Sequence, residues 1–311
     1  MGFLMPTKLP TNKIIHGDTL KTTQQLPNKS VNSVITSPPY WQLRDYGYPE
    51  QWGLEPTFQE YLNHLWLLMD EIWRVLKDDG TVWINLGDTY MNNSSYSEKG
   101  RQGLGNDKIG MIYKSDEKVK QKSLCLIPHR FAIGCIDRGW IVRNDIIWAK
   151  RNGMPEGVTD RFSKKHEYFF LMVKQPKYYF DLDGIRDKVL SNDKVNANVW
   201  NNDFNTNRVR CGANKNGKNP GDVSDFWDVP TMPSSEKHYA TYNTKLIDKP
   251  IIAGCPKDGI ILDPFAGTGT TLVRALQLGR KVIGIDGSKE YCEIAQKRVD
   301  NELSQFKMDF K

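Results

Sequence analysis

Residues 259–286 read GIILDPFAGTGTTLVRALQLGRKVIGID, and this stretch decides the fold. The apolar run at 259–262 predicts a buried strand that leads into a glycine-rich turn. Residues 272–278 predict a helix that ends at Gly279, and residues 281–285 predict a second strand. Strand, turn, helix and strand in this order are typical of parallel α/β units.

The turn between the first strand and the helix has the composition of a ligand-binding loop. Its sequence is Asp263-Pro264-Phe265-Ala266-Gly267-Thr268-Gly269-Thr270-Thr271. Glycine lets the main chain approach a ligand closely, and the amides of a helix N-terminus face that ligand. Asp286 ends the next strand, where an acidic side chain can accept hydrogen bonds from ribose hydroxyls. The loop lacks the third glycine of the dinucleotide fingerprint and the Lys-Ser/Thr pair of a P-loop, and glycine also serves ordinary tight turns.

A second motif follows the predicted strand at residues 30–36. Thr36-Ser37-Pro38-Pro39-Tyr40-Trp41 ends that strand, because two prolines cannot continue a central β-ladder. The rigid turn offers the Ser37 hydroxyl, the Pro38 carbonyl and the Tyr40 ring. This set suits a planar substrate with an amino group, since the oxygens accept its hydrogens and the ring stacks on its plane. The alternative is a rigid turn with a packed aromatic side chain.

The rest of the chain continues the α/β pattern. Thr57 and Glu60 form a capping-box pattern before an amphipathic helix, which Gly80 would close. Residues 91–122 lack a period and predict a long mobile loop, and the asparagine-rich residues 183–222 predict an insertion outside the sheet. Other predicted elements are strands at 14–18, 81–86, 140–148 and 167–173, and helices at 123–138, 245–253 and after Ser288.

Composition limits the class of protein. The chain has 311 residues, 39% of them hydrophobic, and a net charge of +6, which excludes a chain disordered throughout and only weakly favours a polyanionic partner. Its apolar runs are too short to span a bilayer, and the N-terminus lacks the pattern of a secretory signal. We therefore expect a cytoplasmic protein with no metal site, whose five cysteines are buried reduced thiols: Cys125, Cys135, Cys211, Cys255 and Cys292.

Together the two motifs resemble those of the amino-group DNA methyltransferases that use S-adenosylmethionine. Thr36–Trp41 is similar to the catalytic motif of that family, and Asp263–Thr271 to its cofactor loop. The order, with the catalytic motif first, resembles the permuted beta subgroup. Further similar blocks are 80–90, 140–150, 165–170 with 178–181, 226–230 and 279–286.

The resemblance implies a circularly permuted, Rossmann-like α/β sheet with helices on both faces and a small inserted target-recognition region. In the unpermuted fold the strands are numbered along the chain. The strands ending at Asp263 and Asp286 would correspond to its first and second strands, and those ending at Asp18 and Ser37 to its third and fourth. Residues 1–182 would form the catalytic half, 183–224 the target-recognition insertion and 225–311 the cofactor-binding half.

The resemblance also implies the site residues. The catalytic residues would be Ser37, Pro38, Pro39 and Tyr40. S-adenosyl-L-methionine would be bound by Asp18, Thr36, Asp263, Pro264, Phe265, Ala266, Gly267, Thr268, Gly269, Thr270 and Asp286. Asp18 also suits a purely structural Gly-Asp turn. One departure stands at Tyr242-Asn243-Thr244, where family members often have Phe-Pro-Glu.

The implied substrate is a base flipped out of double-stranded DNA. Serine at the first motif position resembles the cytosine-N4 enzymes, and adenine N6 is the alternative. RNA or protein methylation and a non-catalytic DNA-binding module are further alternatives. The resemblance also implies a prokaryotic, plasmid- or phage-encoded protein, with a cognate restriction endonuclease as a possible partner and a monomer or homodimer as the assembly. Arg208 and Arg210 are the candidate base contacts, and Lys118 and Lys120 the candidate phosphate contacts.

Replacing Arg208 and Arg210 by alanine is expected to relax the sequence preference of DNA methylation, because a bidentate arginine–guanine contact discriminates by about 1–3 kcal/mol. Replacing Lys118 and Lys120 instead should weaken binding on every sequence and reduce its salt dependence. Sequencing the methylated sites and titrating binding against salt distinguish the two pairs. An unchanged preference in the arginine variant would contradict the assignment of the insertion.

Overall fold

Ten strands, six α-helices and one short 3-10 helix (Asp183–Ile185) lie in the part of the chain that the computed structural model describes, residues 9–48, 50–91, 119–153, 156–188, 218–219, 223–231 and 243–309. The strands are β1 (Lys13–His16), β2 (Val31–Thr36), β3 (Leu76–Leu86), β4 (Ile141–Ala149), β5 (His166–Val173), β6 (Asp187–Lys188), β7 (Lys218–Asn219), β8 (Phe226–Asp228), β9 (Ile260–Asp263) and β10 (Lys281–Asp286). The helices are α1 (Thr19–Gln24), α2 (Phe58–Val75), α3 (Ile127–Asp137), α4 (Thr244–Gly254), α5 (Thr270–Gln277) and α6 (Lys289–Asp309).

Eight of these strands form one mixed sheet in the order β1-β10-β9-β2-β3-β5-β4-β8. The first described strand, β1, pairs with the last, β10, with Ile14 opposite Gly284, and β2 pairs with β9, with Val34 opposite Leu262. All the pairings are parallel except those of β5, which runs opposite to its neighbours β3 and β4. The permuted strand order that the resemblance implied is therefore confirmed.

Helices cover both faces of the sheet because its central strands are apolar on both sides. Val34 of β2 belongs to the core under α1, α2 and α3, whereas the next residue, Ile35, belongs to the core under α4, α5 and α6. The capping box of α2 is present, with Glu60 N donating to Thr57 Oγ1 and Thr57 N donating to Glu60 Oε2.

The predicted end of α2 at Gly80 is wrong. The helix ends at Val75, and β3 begins at the fully buried Leu76, so Gly80 lies inside a strand. The pairing with β2 shifts there, from Val31 opposite Leu76 to Ser33 opposite Thr81. A Cβ atom at Gly80 would lie 2.6 Å from Leu76 Cδ1, so glycine is needed for this close approach rather than for a cap.

The two predicted polar regions lie mostly outside the described residues. The ends of the first meet, since Met91 N donates to Ser123 O and Lys122 N to Met91 O, while residues 92–118 lie outside the description. In the second region, β6 and β7 form a two-stranded antiparallel sheet that is separate from the large sheet. Residues 189–217, with Arg208 and Arg210, lie outside the description.

The described residues test the prediction of buried thiols for four of the five cysteines. Cys125, Cys135, Cys255 and Cys292 are buried free thiols, as predicted, and Cys211 lies outside the description. Among the described residues, no helix has the length and apolar character that crossing a membrane requires. The same residues hold no cluster of three or more His, Cys, Asp or Glu side chains placed for a metal ion.

Replacing Gly134 by alanine is expected to destabilise the fold by about 1–3 kcal/mol, the usual cost of overpacking. The added Cβ would lie 2.2 Å from the Trp66 ring, which cannot move freely because its Nε1 donates to Phe131 O. The helix-propensity gain of about 1 kcal/mol offsets only part of this cost. Denaturant titration measures the change. Gly157→Ala is the control, since nothing lies within 4 Å of its Cβ position, and an equal loss there would contradict the packing argument.

Candidate active site

One cavity of about 340 Å³ brings the two predicted motifs together. It lies where β2, β3, β9 and β10 end and β5 begins. Open α/β sheets bind ligands at these carboxyl ends of their parallel strands. Its walls include Ser37, Pro38, Pro39, Tyr40, Asp263, Phe265, Ala266, Gly267, Thr268, Thr270 and Asp286. Most of the predicted catalytic and cofactor residues therefore share one site.

Asp286 closes the glycine loop from the neighbouring strand. Its Oδ2 accepts from Gly267 N at 2.8 Å, and its Oδ1 accepts from Ser288 N at 2.8 Å. Burial raises the pKa of Asp286, and these two main-chain bonds work against that rise. Gly267 and Gly269 have φ values of +51° and +82°, in the left-handed region that favours glycine. The loop conformation therefore depends on both glycines and on one carboxylate.

Asp263 joins the glycine loop to the Ser-Pro-Pro-Tyr turn. Its Oδ1 accepts from Thr36 Oγ1 at 2.7 Å and from Phe265 N at 3.1 Å. The carboxyl is buried, and burial raises its pKa from 3.8 to about 6 despite the hydrogen bonds from Thr271, Thr36 and Phe265. Thr36 thus contributes through this bond rather than as a wall of the cavity.

The Ser-Pro-Pro-Tyr turn is held by a buried amide. Asn85 Nδ2 donates to the Tyr168 carbonyl at 3.0 Å, which turns Asn85 Oδ1 towards the turn. Ser37 Oγ donates to that oxygen at 3.3 Å, and the Tyr40 hydroxyl oxygen lies 2.9 Å from it. Because the serine proton is engaged by Asn85, the lone pairs of Ser37 remain able to accept hydrogens from a substrate.

The Tyr40 hydroxyl also reaches β5. It donates to Glu167 Oε2 at 2.6 Å, and Glu167 Oε1 forms an ion pair with Lys150 Nζ. Burial, followed by the charge of Glu167 and the bond to it, raises the pKa of Tyr40 well above its ordinary value. The hydroxyl therefore stays protonated and acts as a donor.

Several wall residues were not assigned a role from the sequence. They are Leu43, Arg44, Tyr46, Tyr48, Asn85, Trp148, Lys150, Glu167, Thr231, Thr271 and Tyr291. Asn85, Lys150 and Glu167 fall in blocks that resemble the family. Asn85 and Lys150 are polar residues at the carboxyl ends of β3 and β4, and Glu167 is a polar residue at the start of the antiparallel strand β5. These positions at strand ends are the signal from which they could have been found.

Other predicted residues lie away from the cavity wall. Asp18 caps α1, with its Oδ1 accepting from Lys21 N at 2.9 Å and its Oδ2 from Trp52 Nε1 at 3.3 Å. This is the structural role of a Gly-Asp turn, and contact with a cofactor stays a prediction. Pro264 and Gly269 shape the loop from behind, since the Pro264 carbonyl accepts from Thr19 and a Cβ at Gly269 would lie 3.0 Å from Ala295 Cβ.

The remaining predicted positions can be placed only in part. Lys120 is exposed on the surface, whereas Lys118 lies outside the described residues. Asn243, at the position that departs from the family, caps α4 by accepting from Lys245 N at 3.0 Å. Asparagine is a favoured N-cap residue, which explains why this departure leaves the helix intact.

The sequence matches the family described as DNA methylase over residues 31–297. The chain belongs to this family. It is 37% identical over 300 residues to the type II methyltransferase M.Cfr9I of Citrobacter freundii, covering 96% of this chain and 90% of the relative. It is 35% identical over 298 residues to M.SmaI of Serratia marcescens, covering 95% and 93%. The recognition of an amino-group DNA methyltransferase from the two motifs is confirmed.

Solved structures share the fold of this methyltransferase. PvuII DNA methyltransferase, described as cytosine-N4-specific, aligns with a TM-score of 0.62 at 16% identity and covers 94% of this chain and 91% of its own. TTHA0409 of Thermus thermophilus, solved in complex with S-adenosyl-L-methionine, aligns with a TM-score of 0.58 at 21% identity, covering 93% and 95%. The expected methyltransferase fold is therefore confirmed, and family membership agrees with the expected cofactor.

The stability of this methyltransferase is expected to fall relative to that of the Asp263→Asn variant as the pH rises from about 4 to about 7. The folded-state pKa of about 6 lies above the ordinary 3.8, so in this window the folded protein holds a proton that the unfolded chain has lost. The loss amounts to roughly 3 kcal/mol at most. Denaturant titrations of both proteins across this range measure it, and parallel curves would contradict the buried carboxyl.

Proposed function

We propose that this methyltransferase transfers the methyl group of S-adenosylmethionine to the exocyclic N4 amine of cytosine, flipped out of double-stranded DNA at a specific site. The observation that carries this proposal is the Ser37 hydroxyl, which donates to Asn85 and lines the cavity beside the Tyr40 ring. A neutral acceptor beside an aromatic surface suits an amino-substituted base.

The residues around the glycine loop fit the cofactor. The Asp286 carboxylate lines the cavity and is positioned to accept hydrogen bonds from ribose hydroxyls. Phe265, Gly267 and Thr268 form the adjoining wall. The cavity volume lies at the lower end of the range for small-molecule sites, about 300–1,000 Å³. When bound there, S-adenosylmethionine supplies an electrophilic methyl group on a sulfonium.

The chain's own contribution is to hold the amine. The lone pair of an aryl amine is delocalised into the ring, so the amine is a weak nucleophile. Acceptors at Ser37 Oγ and the Pro38 carbonyl favour the pyramidal amine that develops during the transfer. The Pro39 carbonyl instead accepts from the Tyr61 hydroxyl at 2.8 Å. Because serine is a weak base and the Asn85 amide does not take up a proton, we expect the amine proton to leave after the methyl group has been transferred.

Cytosine is favoured over adenine by the serine at position 37. The PvuII enzyme, which shares the fold, is described as cytosine-N4-specific, and this supports the same target. Both bases present an amine beside a ring nitrogen, so adenine N6 is the second candidate. The type II relatives support a restriction-modification role in the cytoplasm of a prokaryote, with a cognate endonuclease as partner.

Nucleoside mass spectrometry tests the target base. The wild-type protein is expressed in a host without DNA methyltransferases, and N4-methylcytosine is expected in its digested DNA. Ser37→Ala is expected to lower the methylation rate by about 10²–10³-fold, the effect of losing one preorganised polar group. Ser304→Ala is the control, because Ser304 is exposed on α6 and its hydroxyl donates to Asp300 O in the same helix.

The other outcomes separate the alternatives. Detection of N6-methyladenine would contradict the base assigned from Ser37 and would leave the assignment of the fold and the pocket unchanged. If neither methylated base is found although the protein is folded and binds the cofactor, DNA amino methylation is rejected and methylation of RNA or protein is favoured. A labelled-methyl assay on RNA and protein substrates would detect that activity. A Ser37→Ala protein with the full biological effect would favour a non-catalytic module.

A further inference from the structure

The Tyr40 ring is seated tightly on the end of β3. A Cβ atom at Gly87 would lie 2.5 Å from Tyr40 Cε2 and 2.9 Å from Cδ2, so the ring rests directly on the glycine main chain. Gly87 follows the last residue of β3, and the ring therefore has a rigid support beneath it. Packing alone still leaves the ring able to slide over a surface that has no side chain.

The far end of the ring is fixed by polar groups. The hydroxyl donates to Glu167 Oε2 at 2.6 Å and lies 2.9 Å from Asn85 Oδ1. The Glu167 side chain is 12% exposed, and a hydrogen bond to a buried carboxylate is among the stronger ones. The hydroxyl has one proton, which it donates to Glu167, so this bond and the contact with Gly87 define the position and the plane of the ring.

Glu167 is itself held from β4. Lys150 Nζ forms an ion pair with Glu167 Oε1 and lies 4.4 Å from the centroid of the Trp148 ring. Trp148 is opposite Glu167 in the β4–β5 register. Lys150, two residues after Trp148, therefore lies near the Glu167 carboxylate, just beyond the end of β4. Both oxygens of Glu167 are engaged, one by the hydroxyl and the other by the ammonium.

Asn85 connects this arrangement to the amine acceptor. Its Oδ1 receives the Ser37 proton and also contacts the Tyr40 hydroxyl. The stacking ring and the acceptor of the base amine therefore lie against the same buried amide oxygen. A shift of the ring would move a stacked base away from Ser37, and a misplacement of about 1 Å can cost about 10²-fold in rate.

We propose that Glu167, held by Lys150, is a positioning residue that fixes the Tyr40 ring in the plane on which the flipped base stacks. The proposal deepens the proposed function and rests on it in one respect, the use of Tyr40 as the stacking surface. Glu167 acts through the tyrosine hydroxyl and not by accepting the substrate proton.

A double-mutant cycle tests this coupling. The variants are Tyr40→Phe, Glu167→Gln and the two combined, and the readout is the single-turnover rate of methyl transfer to unmethylated plasmid DNA. Each single change removes or weakens the same charge-assisted hydrogen bond and is expected to lower the rate by about 10-fold. The combined variant is expected to be no slower than the slower single variant. The dissociation constant for S-adenosylmethionine should stay within about 2-fold of the wild-type value.

Glu71→Gln is the matched control. Glu71 forms an ion pair with Arg74 at 2.7 Å on α2, is 24% exposed and does not line the cavity. It is expected to leave the rate unchanged, and thermal unfolding of each variant separates lost stability from lost positioning. The proposal is overturned if Glu167→Gln has the wild-type rate, or if the combined variant is about 100-fold slower, since independent effects multiply.

Failure of this proposal and failure of the proposed function are distinguishable. The cycle uses rates relative to the wild-type protein on whichever base it methylates, so a product of N6-methyladenine would change the base assignment without affecting the coupling. Independent effects of the two residues, with N4-methylcytosine as the product, would reject only the role of Glu167.

Discussion

The hydrogen bond from Thr36 Oγ1 to Asp263 Oδ1, at 2.7 Å, joins residues 227 positions apart and holds the two working motifs at one site. It is made where β2 and β9 pair in the centre of the sheet. The same Asp263 oxygen accepts from Phe265 N, so the glycine loop and the Ser-Pro-Pro-Tyr turn share one buried anchor. Burying a carboxyl is costly unless donors satisfy it, and these donors are what make the arrangement tolerable. Both loops start at this hydrogen-bonded pair, so the cavity lies between them.

The two loops could be predicted from the sequence because each carries its own local signal, glycines in one and prolines in the other. The order of the strands followed from the resemblance, since pairing between β1 and β10 has no local signal. The positions of Asn85 and Glu167 at strand ends mark them as candidates for the site, but their roles could not be assigned from the sequence, because their common partner Tyr40 lies 45 and 127 positions away. The predicted end of α2 failed for a related reason: Leu76 continues the helical period but is buried as the first residue of a strand.

An acidic residue after a strand has two uses, and the structure distinguishes them. Asp18 uses both carboxylate oxygens on the protein itself, for Lys21 N and the Trp52 indole. Asp286 likewise accepts two main-chain amides, yet its side chain still lines the cavity. Each carboxylate oxygen has two acceptor directions, so loop closure and ligand binding are compatible where the side chain faces the cavity. Sequence spacing alone does not reveal which way the side chain faces.

The chemistry of the site follows from where its charges are placed. The group next to Ser37 is the neutral amide of Asn85, and the carboxylate of Glu167 stands behind the Tyr40 hydroxyl with Lys150 as its counter-ion. A carboxylate beside the serine would compete for the hydrogens of the amine and offer it a base. In the proposed reaction the neutral oxygens would instead orient the amine and leave its proton in place while positive charge develops on the nitrogen. Such a site would select the geometry of the attack, and deprotonation would follow as a separate step.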